Sequence, residues 1–307
     1  MRQKVSGCRA IRDRKYIFAS WVWNMFDFAS DLREEGDSVD LNTKGLVTDD
    51  RKTKKDAFYY YQAQWSDAPM IHLTGQRYET RAYPIMEVKA YSNAPRASLT
   101  FNGQALGEVA CGDGICRWPN VALKAGANEA VVTAQNGASD RATWTGPDVS
   151  KGLFVEAGDL SGHVVGGKRF GSDNFVTGGV PVVLNMGGFG GRRLAPPRSV
   201  EALQPELYDY WREGEAFSYA LPVPNGKWTV TIHTFEPRAA ADPMTMTVTA
   251  NGKVAVKPFD VKQAAGGALK GIARSFPVRV KNGVLQLDFA GTGGKAVVAA
   301  IEVAPGR

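Results

Sequence analysis

From residue 85 onward the chain is dominated by short runs in which apolar and polar positions alternate. That period suits strands with one face buried. Residues 85–91 and 97–101 are expected to be strands, and Asn102-Gly103 after the second suits a two-residue hairpin turn. Residues 130–134 form another such run. Short strands cut by turn residues over 67–147 predict an immunoglobulin-like sandwich. Gly146-Pro147-Asp148 then reads as a linker. The alternation resumes over 151–307, with strands expected at 217–222, 228–235, 244–250, 278–280, 284–289 and 297–303. Asn225-Gly226, Asn251-Gly252 and Asn282-Gly283 supply turns between them. A second sandwich, of jelly-roll type, is expected there.

Residues 1–66 have a different texture. Residues 16–28 are apolar on both parities, the pattern of a strand buried on both faces, as in a parallel sheet. A polar, glycine-containing loop is expected over 31–42, carrying Glu34 and Glu35. Residues 57–65 predict a helix with an aromatic face.

Composition narrows the function. The chain has 307 residues and 44% hydrophobic content, enough for about two domains with ordinary cores. A net charge of +6 is spread among alternating Lys/Arg and Asp/Glu, with no concentrated basic stripe, which argues against nucleic-acid binding. No apolar run is long enough for a membrane span, and residues 1–14 lack the apolar centre of a secretory signal. Cys111 and Cys116 flank a turn and are either a small disulfide or two reduced thiols; Cys8 is left over. No Cys/His spacing suggests zinc, so no metal or cofactor is expected. His72, His163 and His233 stand alone in sequence, His233 reading as a satisfied strand histidine. Gly187-Gly188-Phe189-Gly190-Gly191 is not followed by Lys-Ser/Thr and reads as a surface loop, not a phosphate loop.

Several motifs carry a resemblance. Trp21-Val22-Trp23-Asn24-Met25-Phe26-Asp27-Phe28, Asn42-Thr43-Lys44-Gly45-Leu46-Val47-Thr48, Asp50-Arg51 and Lys54-Lys55-Asp56-Ala57-Phe58-Tyr59-Tyr60-Tyr61 with Trp65 resemble the end of the catalytic barrel in family 2 glycoside hydrolases, the β-galactosidase and β-glucuronidase family. The resemblance implies that residues 1–66 are the end of a (β/α)8 barrel, with 16–28 its eighth strand. Active sites of such barrels lie at the carboxy-terminal ends of the strands. Trp23 would then wall the sugar subsite or pack in the barrel. Asn42 and Lys44 would hold a substrate carboxylate or pair locally and fix the loop. Retaining glycosidases need two carboxylates about 5 Å apart. In this family they are glutamates on the fourth and seventh barrel strands, so the resemblance implies no catalytic residue in this chain. Asp27, Glu34 and Glu35 are expected to be structural or solvated.

Residues 88–93, 99–103, Leu106-Gly107, Trp118, Leu123, Gly126 and Asn128 resemble the sandwich that follows the barrel in many of these enzymes. Glu156-Ala157-Gly158, Gly171-Ser172-Asp173, Leu207-Tyr208, Arg212, Phe217, Tyr219, residues 222–233 with Phe235-Glu236, and Ala300-Ile301-Glu302-Val303 resemble malectin-like carbohydrate-binding sandwiches. Tyr208, Tyr210 and Trp211, in a loop-like stretch, would be sugar platforms or loop packing. The expected fold class is mainly β: a partial barrel end over 1–66, an immunoglobulin-like sandwich over 67–147 and a malectin-like jelly-roll sandwich over 151–307. The implied parent activity is retaining hydrolysis of a β-galactoside or related glycan, with a β-glucuronide as alternative. The chain would be a glycosidase fragment, a stand-alone carbohydrate-binding or adaptor protein, or a subunit completing a barrel supplied by another chain. Enzymes of this layout are commonly periplasmic or secreted.

Overall fold

A computed structural model describes residues 10–35, 38–185, 198–239 and 245–306. Cys8 and the glycine-rich stretch 187–191 lie outside the described residues.

The expected strand over 16–28 is not formed. Residues 16–25 carry no strand, Phe26 makes a single parallel bridge to Val47, and regular structure starts only with β1, Phe28–Glu35. Tyr16, Phe18 and Trp21 stand in solvent, Phe18 at 97% exposure. A parallel strand needs partners on its hydrogen-bonding edges and cover on its faces. Among the described residues nothing supplies either. β1 pairs antiparallel with β2, Ser38–Asn42, so Glu34 and Glu35 sit in a hairpin strand and not in the expected loop.

Helix α1, Asp56–Trp65, forms where the aromatic run predicts it. It buries Ala57, Tyr60 and Ala63, three residues apart and so on one face. Tyr60 meets Tyr91 edge-on at 5.3 Å, in a small core with Met70 and Ile115. The helix therefore packs on the sandwich that follows it.

That sandwich joins a three-stranded sheet, β3 (Ile71–Leu73), β4 (Ile85–Ser92) and β7 (Ile115–Ala122), to a four-stranded sheet, β5 (Arg96–Phe101), β6 (Gln104–Ala110), β8 (Gly126–Ala134) and β9 (Ser139–Gly146). β5 alternates exposed and buried positions throughout, as its sequence predicts. Leu99, Phe101, Val132 and Trp144 fill the core. Asn102 and Gly103 both adopt positive φ, which the two-residue turn between β5 and β6 requires. Cys111 and Cys116 are disulfide-bonded, which settles the alternative left open by the sequence. Gln64 of α1 donates to the Asp113 carbonyl inside that closed turn, at 2.8 Å.

The second sandwich comprises β10 (Leu153–Glu156), the minor pair β11 (Val164–Val165) and β12 (Lys168–Arg169), β13 (Val176–Val183), β14 (Tyr210–Pro222), β15 (Gly226–Thr234), β16 (Thr245–Ala250), β17 (Lys253–Asp260), β18 (Ile272–Val280), β19 (Val284–Thr292), β20 (Ala296–Val298) and β21 (Ala300–Pro305). One sheet runs β13-β14-β19-β16-β17, with β20 also on β14; the facing sheet runs β10-β21-β15-β18. Phe217, Tyr219 and Leu221 from the first meet Val230, Ile232 and Ile301 from the second in one buried core. The strands expected from sequence are present, but β14 and β18 each begin several residues earlier. The expected strand over 297–303 divides into β20 and β21, which join opposite sheets.

Candidate carbohydrate-facing site

The barrel-like end is organised by one buried carboxylate. Asp27 accepts from the Gly45 amide at 2.8 Å and from Lys55 Nζ at 2.6 Å. Lys55 Nζ also donates to the Thr43 carbonyl at 3.0 Å. Both partners are largely out of water, so the pair locks the 42–48 loop against the start of α1. With its oxygens committed in this way, Asp27 ties the loop to the helix.

Trp23, Asn42 and Lys44 lie on this loop system. Trp23 is 68% exposed and meets Phe28 edge-on at 6.2 Å. Phe28 is the cross-strand partner of Asn42. The Trp23 face is thus free of core packing and stands beside the base of the β1–β2 hairpin. Asn42 is fully buried; its Oδ1 accepts from the Lys44 amide at 3.1 Å, and its Nδ2 has no partner among the described residues. The Lys44 side chain reaches solvent. A lone amide donor and an ammonium thus share one turn.

In the second sandwich, Tyr208 and Trp211 are 3% and 4% exposed and both pack edge-on against Phe235. Of the two readings open for these rings, packing is the one they adopt; the loop expected there is corrected for Trp211, which lies in β14, while Tyr208 ends a short 3-10 turn. Their faces are consumed by the core, because β14 starts earlier than its alternation suggests. Tyr210, at the start of β14, is half-buried and keeps an accessible side. It stacks beside His163 at 6.3 Å and 24°.

His233 is satisfied, as its strand position predicts. Its Nε2 lies 2.9 Å from Glu302 Oε1, and its Nδ1 lies 3.4 Å from the Tyr208 hydroxyl. Glu302 also takes Lys168 Nζ at 2.5 Å. The His233 bond, then the Lys168 partner, hold the Glu302 carboxyl below its ordinary range, against the effect of burial.

His163 is not isolated as its sequence position implies. Its Nδ1 lies 2.8 Å from Glu156 Oε2 and 3.6 Å from Asp159 Oδ2. Burial alone would lower its pKa; the bond to Glu156 and the charges of Glu156, Asp159 and Asp209 outweigh that and raise it. Sequence reasoning misses this grouping because the three residues fit no ligand spacing that can be read without the fold. A carboxylate at the end of a strand, followed at once by a glycine turn, is the one available signal.

Two family models match the chain. A domain of unknown function, DUF4982, covers residues 84–139 and the malectin domain covers 154–304. A β-glucuronidase of Bacteroides fragilis is 42% identical over 127 residues, which is 41% of this chain and 18% of that protein. A β-galactosidase of Bacteroides ovatus, BoGH2A, is 28% identical over 99 residues, 32% of this chain and 12% of that protein. The Bacteroides uniformis β-glucuronidase crystal structure superposes with a TM-score of 0.57 at 18% identity, covering 97% of this chain and 37% of that one. The chain thus spans well under half the length of the relatives it matches. In its order of domains it is similar to the carboxy-terminal part of the family 2 β-glucuronidases and β-galactosidases that it matches. The malectin model spans nearly the whole of the second sandwich, which is called the malectin domain below.

Proposed function

We propose that this chain is the non-catalytic, carboxy-terminal portion of a retaining family 2 β-glycosidase whose substrate carries a uronate, and that it supplies the last wall of the sugar subsite. The observation that carries the reading is Asn42. Its buried Nδ2 has no acceptor among the described residues, and it shares a turn with the Lys44 ammonium. An amide N–H and a cation suit a carboxylate, whose oxygens accept both. The exposed face of Trp23 beside the same hairpin suits the C–H face of a pyranose ring. The identity with a β-glucuronidase supports a glucuronide over a galactoside, although the β-galactosidase match keeps the latter as the second reading.

Hydrolysis would require two carboxylates about 5 Å apart across the glycosidic bond. Asp27 is engaged by Lys55 and Gly45, so the chain alone is expected to be inactive. The malectin domain would hold glycan at the start of β14, where Tyr210 is accessible. The disulfide supports a periplasmic or secreted setting.

The test is hydrolysis of aryl β-glucuronide and aryl β-galactoside by the chain alone and fused to an upstream family 2 barrel. The chain alone should be silent, and the fusion should cleave the glucuronide. Asn42→Ala and Lys44→Ala should each raise KM for the glucuronide by about tenfold, the weight of one charge-assisted hydrogen bond, and leave the galactoside untouched. Activity from the chain alone, or equal loss on both substrates, would refute the assignment.

A further inference from the structure

Where the second sandwich begins, β10 ends at Glu156 and the chain reverses through Gly158. Gly158 has φ +84°, and a Cβ there would sit 2.2 Å from the Trp211 carbonyl oxygen, so only glycine permits this approach. The reversal sets Asp159 and His163 against the end of the strand. One donor atom from each of Glu156, Asp159 and His163 lies within 4.8 Å of the other two.

Glu156 is 0% exposed, yet its Oε1 has no hydrogen-bond partner among the described residues. Buried charged oxygens without a donor are costly, and a buried ion pair is favourable only when its remaining lone pairs are satisfied. The single bond from His163 to Oε2 leaves that condition unmet. The surroundings deepen the imbalance. Asp159 Oδ2 lies 3.6 Å from the same His163 Nδ1 that Glu156 Oε2 meets at 2.8 Å, so two carboxylates face one imidazole. The unpartnered buried oxygen, beside two carboxylates that converge on one imidazole, calls for a cation.

We propose that Glu156, Asp159 and His163 bind one divalent transition-metal ion, zinc or manganese rather than calcium or magnesium. Two carboxylates with an imidazole nitrogen form a mixed donor set that such ions accept, whereas calcium and magnesium prefer oxygen alone. On binding, His163 Nδ1 gives its lone pair to the metal and its proton to solvent, and Glu156 Oε1 gains a partner. The Asp159 carboxylate is already fixed in orientation: it accepts from the Ser161 amide at 3.2 Å, from Ser161 Oγ at 3.1 Å, and from the Gly162 amide. Such outer bonds orient a ligand and raise affinity. The Tyr210 ring lies along His163 and steadies it. His163 is itself half-exposed, which leaves an entry path and room for a water or a glycan oxygen on the metal.

The experiment is calorimetric titration of the chelator-stripped full chain with zinc, manganese, calcium and magnesium chlorides, with X-ray absorption of the zinc form. One equivalent of zinc or manganese should bind, with nitrogen and oxygen ligands near 2.0–2.2 Å, roughly the usual zinc distances. His163→Ala, at a half-exposed position that should not disturb folding, should weaken binding by more than about tenfold. Glu156→Gln should abolish it. His72→Gln, at the other histidine flanked by two aspartates, should leave it unchanged. Absence of stoichiometric binding, preference for calcium or magnesium, or binding unaffected by His163→Ala would each overturn the site.

Discussion

At the scale of single residues, the least replaceable contact at the barrel-like end is Asp27 with Lys55. The carboxylate is buried and the ammonium nearly so. Removing one partner of a buried pair strands the other charge, a loss of about 3 kcal/mol or more. Lys55→Met should therefore loosen the 42–48 loop and the start of α1. The sandwich cores lie elsewhere and should be unaffected. Hydrogen exchange would report this as faster exchange over residues 45–60 and unchanged protection over β14 and β15. Unaltered protection at 45–60 would mean that the pair does not hold the loop. Asp27→Asn with Lys55→Met should recover part of the loss, since no unpaired charge then remains.

At the scale of elements, α1 is docked on the first sandwich through His72. The imidazole stacks on Tyr59 at 3.5 Å and lies between Asp56 of α1, at 3.7 Å, and Asp140 of β9, at 3.4 Å. Burial alone would lower the His72 pKa, but the bonds to Asp140 and Asp56 outweigh it and the net effect is a rise above 6.5. A raised histidine pKa contributes stability that is complete below the unfolded value of 6.5 and is lost as pH rises through the folded value. Asp140 is lowered from 3.8: burial opposes, while the His72 bond and the Leu73 and Arg141 amides prevail. Its contribution is present above 3.8 and fades as pH falls through the lower folded value. Docking of α1 should therefore be tightest between about pH 4 and pH 6.5 and weaken towards pH 8. Exchange of α1 amides, corrected for intrinsic rates, should show this, and His72→Gln should flatten the profile above about pH 6. A wild-type profile flat from about pH 5 to pH 8 would rule out the histidine clasp.

The elements also show which parts of the structure can be read in advance. Strands such as β5, β15 and β19 are legible because alternation with a buried face and Asn-Gly turns leave few other solutions. Residues 16–28 mislead because an apolar run states a need for cover without saying whether the cover is in the same chain. The β14 aromatics mislead for the opposite reason: Tyr210-Trp211-Arg212 does not alternate in hydrophobicity, yet it continues the strand into the core. That Asn42 and Lys44 share one turn is legible from their spacing. The Glu156 cluster is not, because His163 meets Glu156 only after the reversal at Gly158.

At the scale of the whole molecule, the two sandwiches are joined by more than their linker. Tyr83, just before β4, is buried among the core residues of the malectin domain. Its ring meets Phe175 edge-on at 4.9 Å and its hydroxyl donates to the Ser172 carbonyl. Gly171 leaves the space for it: a Cβ there would lie 2.4 Å from the ring. An aromatic of one domain sealed into the core of the next makes separate unfolding expose that core, so the two should melt together. Tyr83→Ala removes the plug and opens a cavity, a loss of roughly 3–5 kcal/mol by analogy with other buried aromatics. Differential scanning calorimetry of the wild type should give one cooperative transition over both sandwiches. The Tyr83→Ala protein should give two, with the malectin domain melting first because the cavity lies in its core. Gly171→Ala tests the same contact from the other side, since the methyl must displace the ring, and it too should separate the transitions. One unshifted transition in both variants would mean that Tyr83 does not carry the coupling, and two transitions in the wild type would mean that the sandwiches are energetically independent. The second sandwich would then be a tethered module and not a rigid extension of the first.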